Sequence, residues 1–125
     1  MTRRVLIADD SAMSRKMIKR AMPVGWADEI FEAANGREAL ELLSKHRVDV
    51  MLLDLTMPEL DGFEVLEQLS SVKSTTAKPK IFVISADYQH ESVQRCIDSG
   101  AVEFVKKPIT ADTLKDVLGK NGCLS

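Results

Sequence analysis

The chain has 125 residues, with 17 Lys and Arg against 19 Asp and Glu and a formal net charge of −2. With 45% hydrophobic and 29% charged residues, it has the composition of a folded protein, and its length suits one domain, 1–125, with one hydrophobic core. The charge excludes a general polyanion binder, which needs a clear excess of Lys and Arg. The opening "MTRRVLIADD" meets Asp9 and Asp10 too soon for a secretory apolar region, and no run approaches the ~20 apolar residues of a membrane span.

In chain order, short apolar runs alternate with amphipathic stretches. Val5–Ala8 reads as a strand. Met13, Met17, Ile18 and Ala21 then form a helical stripe, with Arg15, Lys16, Lys19 and Arg20 on the surface, until Pro23 and Gly25 stop the helix. Ile30–Ala34 is a weaker strand. "NGREALELLSKH" opens a helix with Asn35 as N-cap and Glu38 three residues on, the spacing of a capping box. Val48–Leu53 is a strand, and "DGFEVLEQL" repeats the capping device with Asp61 and Glu64 while burying Phe63, Leu66 and Leu69.

Ile81–Ile84 is the fourth strand. "HESVQRCIDSG" is a helix with Val93, Cys96 and Ile97 on one side and Gly100 at its end. Ala101–Val105 is the fifth strand. "TADTLKDVLG" is a helix from Thr110, with Leu114, Val117 and Leu118 facing inward. Five strands alternating with five helices imply an α/β parallel sheet covered on both faces, with its ligand site beyond the carboxyl ends of the strands. Cys96 and Cys123 lie far apart without a C-x-x-C pattern, which fits reduced thiols in a cytosolic protein.

The residues just past those strands are unusual in sum. Asp9 and Asp10 follow the first, Asp54 the third, Ser85 the fourth, and Lys106, Lys107 and Pro108 the fifth. Each has a plain reading alone: a loop start or helix cap, a strand-end residue, a solvated lysine. Their placement at corresponding strand ends is what carries weight. Two carboxylates ~4 Å apart repel by about 4 kcal/mol at an effective dielectric of 20, so three together call for protonation or a cation. A hard divalent ion with oxygen ligands, Mg²⁺ above all, answers that need and leaves room for a phosphate oxygen. Lys107 and Ser85 are donors suited to phosphoryl oxygens, and a carboxylate can serve as a nucleophile toward phosphorus.

These residues resemble the receiver domain of two-component response regulators, most of all the single-domain chemotaxis type. "VLIADDS", "LLDLTMPELDG", "VISA" and "GAVEFVKKP" carry the resemblance in order, over about Val5 to Leu118. It implies a flavodoxin-like (βα)5 fold with strand order 2-1-3-4-5. It implies Asp54 as phosphoacceptor, and Mg²⁺ or Mn²⁺ held by Asp9, Asp10, Asp54 and the Thr56 carbonyl. Lys107 and Ser85 would contact the phosphoryl group, and Lys107-Pro108 would be cis. Ser85 and Phe104 would form the switch, with Ala86, Thr56 and Asp87 governing phosphoryl access and Pro58 stiffening the loop.

The resemblance further implies a sensor histidine kinase or histidine phosphotransfer protein as donor, and a downstream protein target or effector domain. Such a domain is cytoplasmic, has no nucleic-acid or membrane partner, and is a monomer or a phosphorylation-dependent dimer. It is no enzyme beyond its own phosphotransfer and autodephosphorylation. Three rivals differ by feature: a dehalogenase-like phosphatase needs an acid where Thr56 stands, and a flavodoxin-like flavin carrier needs a Ser/Thr/Gly loop where "DDSAMS" puts anions. A receiver that only binds proteins would take no phosphoryl group.

Overall fold

The computed structural model describes residues 3–57, 59–71, 79–86 and 89–124. Five strands, β1 (Arg4–Ala8), β2 (Glu29–Ala33), β3 (Val50–Leu53), β4 (Lys80–Ser85) and β5 (Glu103–Lys106), alternate with five helices. The helices are α1 (Ala12–Ala21), α2 (Gly36–Lys45), α3 (Gly62–Ser71), α4 (His90–Asp98) and α5 (Ala111–Lys120). The strands form one parallel sheet in the order β2-β1-β3-β4-β5. The third strand begins two residues later than the apolar run, and the fifth is shifted toward its carboxyl end.

Side-chain alternation divides the core in two, where composition alone suggested one. Val5 and Ile7 of β1, Val50 and Leu52 of β3, and Phe82 and Ile84 of β4 join Leu114 and Leu118 of α5 on one face. Leu6 and Ala8, Met51 and Leu53, and Ile81 and Val83 join Val65 and Leu66 of α3 on the other. Cys96 lies in the second cluster and Cys123 in the first, and neither is in a disulfide. The Trp26 indole N–H donates to the Cys123 carbonyl at 2.6 Å and ties the chain's end to the α1–β2 connection.

The helix signals act as expected at most ends. Asn35 accepts from the Glu38 N–H, and Asp61 and Glu64 complete a reciprocal capping box. Thr110 caps α5. Gly100 has φ +109°, a conformation glycine adopts without the strain a side chain would bring. Helix α1 is rotated from the expected stripe. Ile18 and Ala21 are buried, but Met13 is 68% and Met17 46% exposed. The face that meets the sheet runs through Ser14, Ile18 and Ala21 (i, i+4, i+7), about 100° around the helix from Met13. Ile97 is likewise exposed while Cys96 takes the inward place on α4. Phe63 and Leu69 pack only partly buried against the second cluster, where Val65 and Leu66 fill the interior.

This rotation has a measurable consequence. In urea unfolding, Ile18→Ala is expected to cost about 2–4 kcal/mol, whereas Met17→Ala changes stability by less than ~0.5 kcal/mol. Equal losses would contradict the observed orientation of α1.

Candidate functional site

The sheet register builds the site. Ala8 and Leu53 are partners across the β1–β3 ladder, so the next residue of each strand, Asp9 and Asp54, emerges side by side. The Asp54 N–H donates to the Ala8 carbonyl at 2.9 Å, and the Asp9 N–H to the Ala33 carbonyl at 3.0 Å. Both acids are therefore held by backbone as well as by packing. Asp9 is 1% exposed and Asp54 6%. Asp10, the next residue, faces solvent. On β5, Lys106 pairs with Ser85, and Lys107 follows with its N–H on the Ser85 carbonyl at 2.9 Å. The Lys107–Pro108 peptide is cis.

From there Lys107 Nζ reaches Asp9 Oδ2 at 2.8 Å and Asp54 Oδ2 at 3.1 Å. One ammonium thus bridges two buried carboxylates. Burial, the largest influence on Asp54, pushes its carboxyl above the ordinary range; the charge of Lys107 opposes this, the charge of Asp9 adds to it, and hydrogen bonds from Lys107 and the Thr56 N–H oppose it. Burial would lower the Lys107 ammonium, but its hydrogen bond to Asp9 and the charge of Asp54 outweigh that and hold it above the usual lysine range.

Oxygens of Asp9, Asp10 and Asp54 lie within 4.8 Å of one another, the one such acidic or thiol/imidazole group among the described residues. Three carboxylates and one ammonium leave an uncompensated negative charge. An all-oxygen donor set with one exposed member fits a hard divalent cation that retains water.

The helix-cap reading of the acidic pair fails for a specific reason. Ser11 is the N-cap of α1, its side chain accepting from the Ser14 N–H, so neither acid is used there. Asp9 instead accepts the Ser11 N–H on Oδ1 at 2.9 Å and the Ser14 hydroxyl on Oδ2 at 2.6 Å. Arg15, assigned to the surface by its place in the helical pattern, turns to the site. It donates to the Asp9 carbonyl at 2.7 Å and to Glu32 at 2.9 Å. Lys19 also pairs with Glu32 at 2.9 Å, and that hydrogen bond is the largest influence holding the Glu32 carboxyl below its ordinary range. Ser11, Ser14 and Arg15 were missed because their partners are set by how α1 enters from the Asp9 loop. A polar Ser14 in line with Ile18 and Ala21 was the one available signal.

The remaining expected residues are placed as follows. Ser85 ends β4 and is buried. Thr56 and Ala86 are exposed at the rim, and the Thr56 N–H points to Asp54 Oδ1 at 3.4 Å. Phe104 is half-buried against the second core cluster. Asp87 and Pro58 lie outside the described residues. The loop after Asp54 closes tightly: the Gly62 N–H donates to the Leu55 carbonyl at 2.9 Å, and a Cβ on Gly62 would sit 2.5 Å from the Asp54 carbonyl oxygen. Glycine is required there because any side chain would push on the backbone of Asp54.

A family model described as the response regulator receiver domain matches residues 5–119. Chemotaxis protein CheY of Bacillus subtilis (strain 168) is 36% identical over 120 residues, covering 96% of this chain and 98% of that protein. Chemotaxis protein CheY of Thermotoga maritima is 34% identical over 120 residues, with coverage of 96% and 98%. Among solved structures, the CheX-CheY-BeF3-Mg²⁺ complex from Borrelia burgdorferi is similar with a TM-score of 0.86 at 27% identity, covering 96% of this chain and 89% of that one.

Two stability measurements test the electrostatics. Lys107→Met strands two carboxylates at neutral pH. The expected loss is about 2–3 kcal/mol, below that of a fully buried pair because the ammonium is 23% exposed. Asp54 behaves oppositely. Its folded pKa lies above its unfolded one, so the folded state binds the extra proton and stability falls as pH rises through the folded value. At pH 7 without divalent metal, Asp54→Asn should therefore raise Tm by on the order of a few degrees. The gain should vanish below the ordinary carboxylate pKa of 3.8. A lower Tm for Asp54→Asn at pH 7 would show that Lys107 compensates the burial in full.

Proposed function

The chain belongs to the response regulator receiver domain family of two-component signalling, and from that premise we propose that Asp54 accepts a phosphoryl group from a phosphohistidine in a Mg²⁺-dependent reaction. The donor is a sensor histidine kinase or a histidine phosphotransfer protein. The observation that carries this reading is the buried pair Asp9–Asp54 sharing one ammonium beside an exposed third acid.

The chemistry follows from what each residue can do. An oxygen of Asp54 attacks phosphorus in line; the new P–O bond forms as the P–N bond to the donor histidine breaks, and the imidazole leaves. Lys107 favours the ionised nucleophile by drawing the Asp54 carboxyl down against its burial. It then serves as donor to a phosphoryl oxygen. Asp9, Asp10 and Asp54 hold Mg²⁺ or Mn²⁺ with the Thr56 carbonyl. When bound there, the ion neutralises charge on the acids and on the transferring phosphoryl oxygens. Exposed Ala86 and Thr56 leave a way in for the phosphoryl group and for the water that later releases it as phosphate. No reaction on a separate substrate is assigned.

The signal leaves through β4 and β5. Ser85 bonds the acquired phosphoryl group and Phe104 repacks, biasing the face formed by α4, β5 and α5 toward a second arrangement. Two features support this route: the Lys107 N–H bonds the Ser85 carbonyl, and Ile97 and Val102 leave apolar surface exposed beside β5. The partner on that face is a downstream protein or effector domain, with phosphorylation-dependent dimerisation of a monomer as the other use of the same surface. Among the described residues no helix is long and apolar enough to cross a membrane, and two cysteines outside any disulfide suit the cytoplasm.

Phosphoryl incorporation from acetyl phosphate should require Mg²⁺ and disappear in Asp54→Ala; labelling that persists in that variant removes Asp54 from the role. Adding beryllofluoride with Mg²⁺ should shift amide resonances from α4 through α5. Shifts confined to the acidic loops would refute the switching route.

A further inference from the structure

We propose that Ser14 is a positioning residue for the divalent cation: its hydroxyl aims the Asp9 carboxylate, so that metal affinity depends on a side chain that touches no metal. The inference rests on the assignment of Asp9 to the cation and extends it to a residue outside the acidic set.

Ser14 stands where the packing pattern asks for an apolar side chain. It is half-buried and shares the sheet-facing line of α1 with buried Ile18 and Ala21. Its hydroxyl is spent on Asp9 Oδ2 at 2.6 Å, while its own N–H is spent on the Ser11 cap at 3.1 Å. Asp9 is consequently held at both oxygens by the first turn of one helix, Oδ1 by the Ser11 N–H at 2.9 Å and Oδ2 by Ser14. Among the described residues Lys107 also donates to that carboxylate, and it is shared with Asp54.

The division of labour has a physical reason. A cationic donor such as Lys107 neutralises the carboxylate that a metal needs charged. A hydroxyl fixes direction and leaves the charge in place. When Lys107 turns toward a phosphoryl oxygen on Asp54, Asp9 loses its ammonium and keeps its orientation through Ser11 and Ser14. Side chains that orient a metal ligand without touching the metal typically change affinity ~10–100-fold when removed.

The test is Mg²⁺ titration of the metal-free full chain, followed by amide resonances of the Asp9–Asp10 and Asp54 loops, with Tm measured in parallel. Ser14→Ala should raise the Mg²⁺ Kd about tenfold. Its metal-free Tm should shift by no more than a few degrees, since alanine restores helix propensity as the hydrogen bond is lost. Ser14→Thr, which keeps the hydroxyl, should return the Kd to within about twofold of the parent. An unchanged or tighter Kd in Ser14→Ala overturns the proposal, and so does a lowered Tm with an unchanged Kd, which marks a purely structural hydroxyl. If the parent chain itself binds no Mg²⁺ at millimolar concentration, the assignment of the acidic cluster fails first, and the result is distinct from a failure of Ser14.

Discussion

Two buried carboxylates side by side are the feature on which the rest of this protein depends. The β1–β3 register places Asp9 and Asp54 next to each other at the end of adjacent central strands. At that depth neither can be solvated well, and like charges close together raise each other's cost. A single ammonium answers both, delivered from the far side of the sheet by Lys107, 98 residues from Asp9 in sequence. The site is thus strained in charge while ordered in geometry. Such an arrangement favours any ligand that brings positive charge to the acids and any chemistry that changes the charge on Asp54.

The surroundings divide into parts that hold and parts that give access. Ser11, Ser14 and Arg15 grip Asp9 through its side chain and its carbonyl. The loop beyond Asp54 is closed on itself at Leu55 and Gly62, and the Gly36 N–H donates to the Leu60 carbonyl at 3.1 Å to tie the neighbouring loop to it. Against this rigid frame, Asp10, Thr56 and Ala86 stand exposed. A carboxylate fixed on a strand end and reached from an open rim fits the proposed transfer from a group carried on another protein, since precise placement comes from the scaffold and entry from the rim. The Lys107 backbone bonds Ser85, so the residue that neutralises the acids is also joined to the end of β4. A change at Asp54 has a short covalent and hydrogen-bonded path into β4 and β5.

Much of this was legible in the chain. Apolar runs marked all five strands; β1, β3 and β4 are buried on both faces and carry nearly continuous apolar residues, whereas edge strand β2 is largely exposed and its run was the weaker one. Asn35–Glu38, Asp61–Glu64 and Thr110 marked helix starts through local hydrogen bonds that need no tertiary partner. The errors share a cause. Met13, Met17 and Ile97 were placed inward by periodicity, yet which side of a helix meets the sheet depends on how the preceding loop delivers it. Arg15 was read as a surface charge because its partners, the Asp9 carbonyl and Glu32, belong to the loop after β1 and to β2.

By itself, then, the sequence determined the alternation of strands and helices, the acids, hydroxyl and lysine at the strand ends, and a resemblance that supplied the strand order. These are local properties, or patterns that survive without coordinates. Tertiary structure alone decided that Asp9 and Asp54 share one ammonium, that α1 turns Ser14 and Arg15 toward Asp9, and which side chains fill each face of the sheet. Each depends on register or helix rotation, and both are settled by packing between segments tens of residues apart. Binary pattern is indifferent to a rotation of one residue; the charge balance at Asp9 is not.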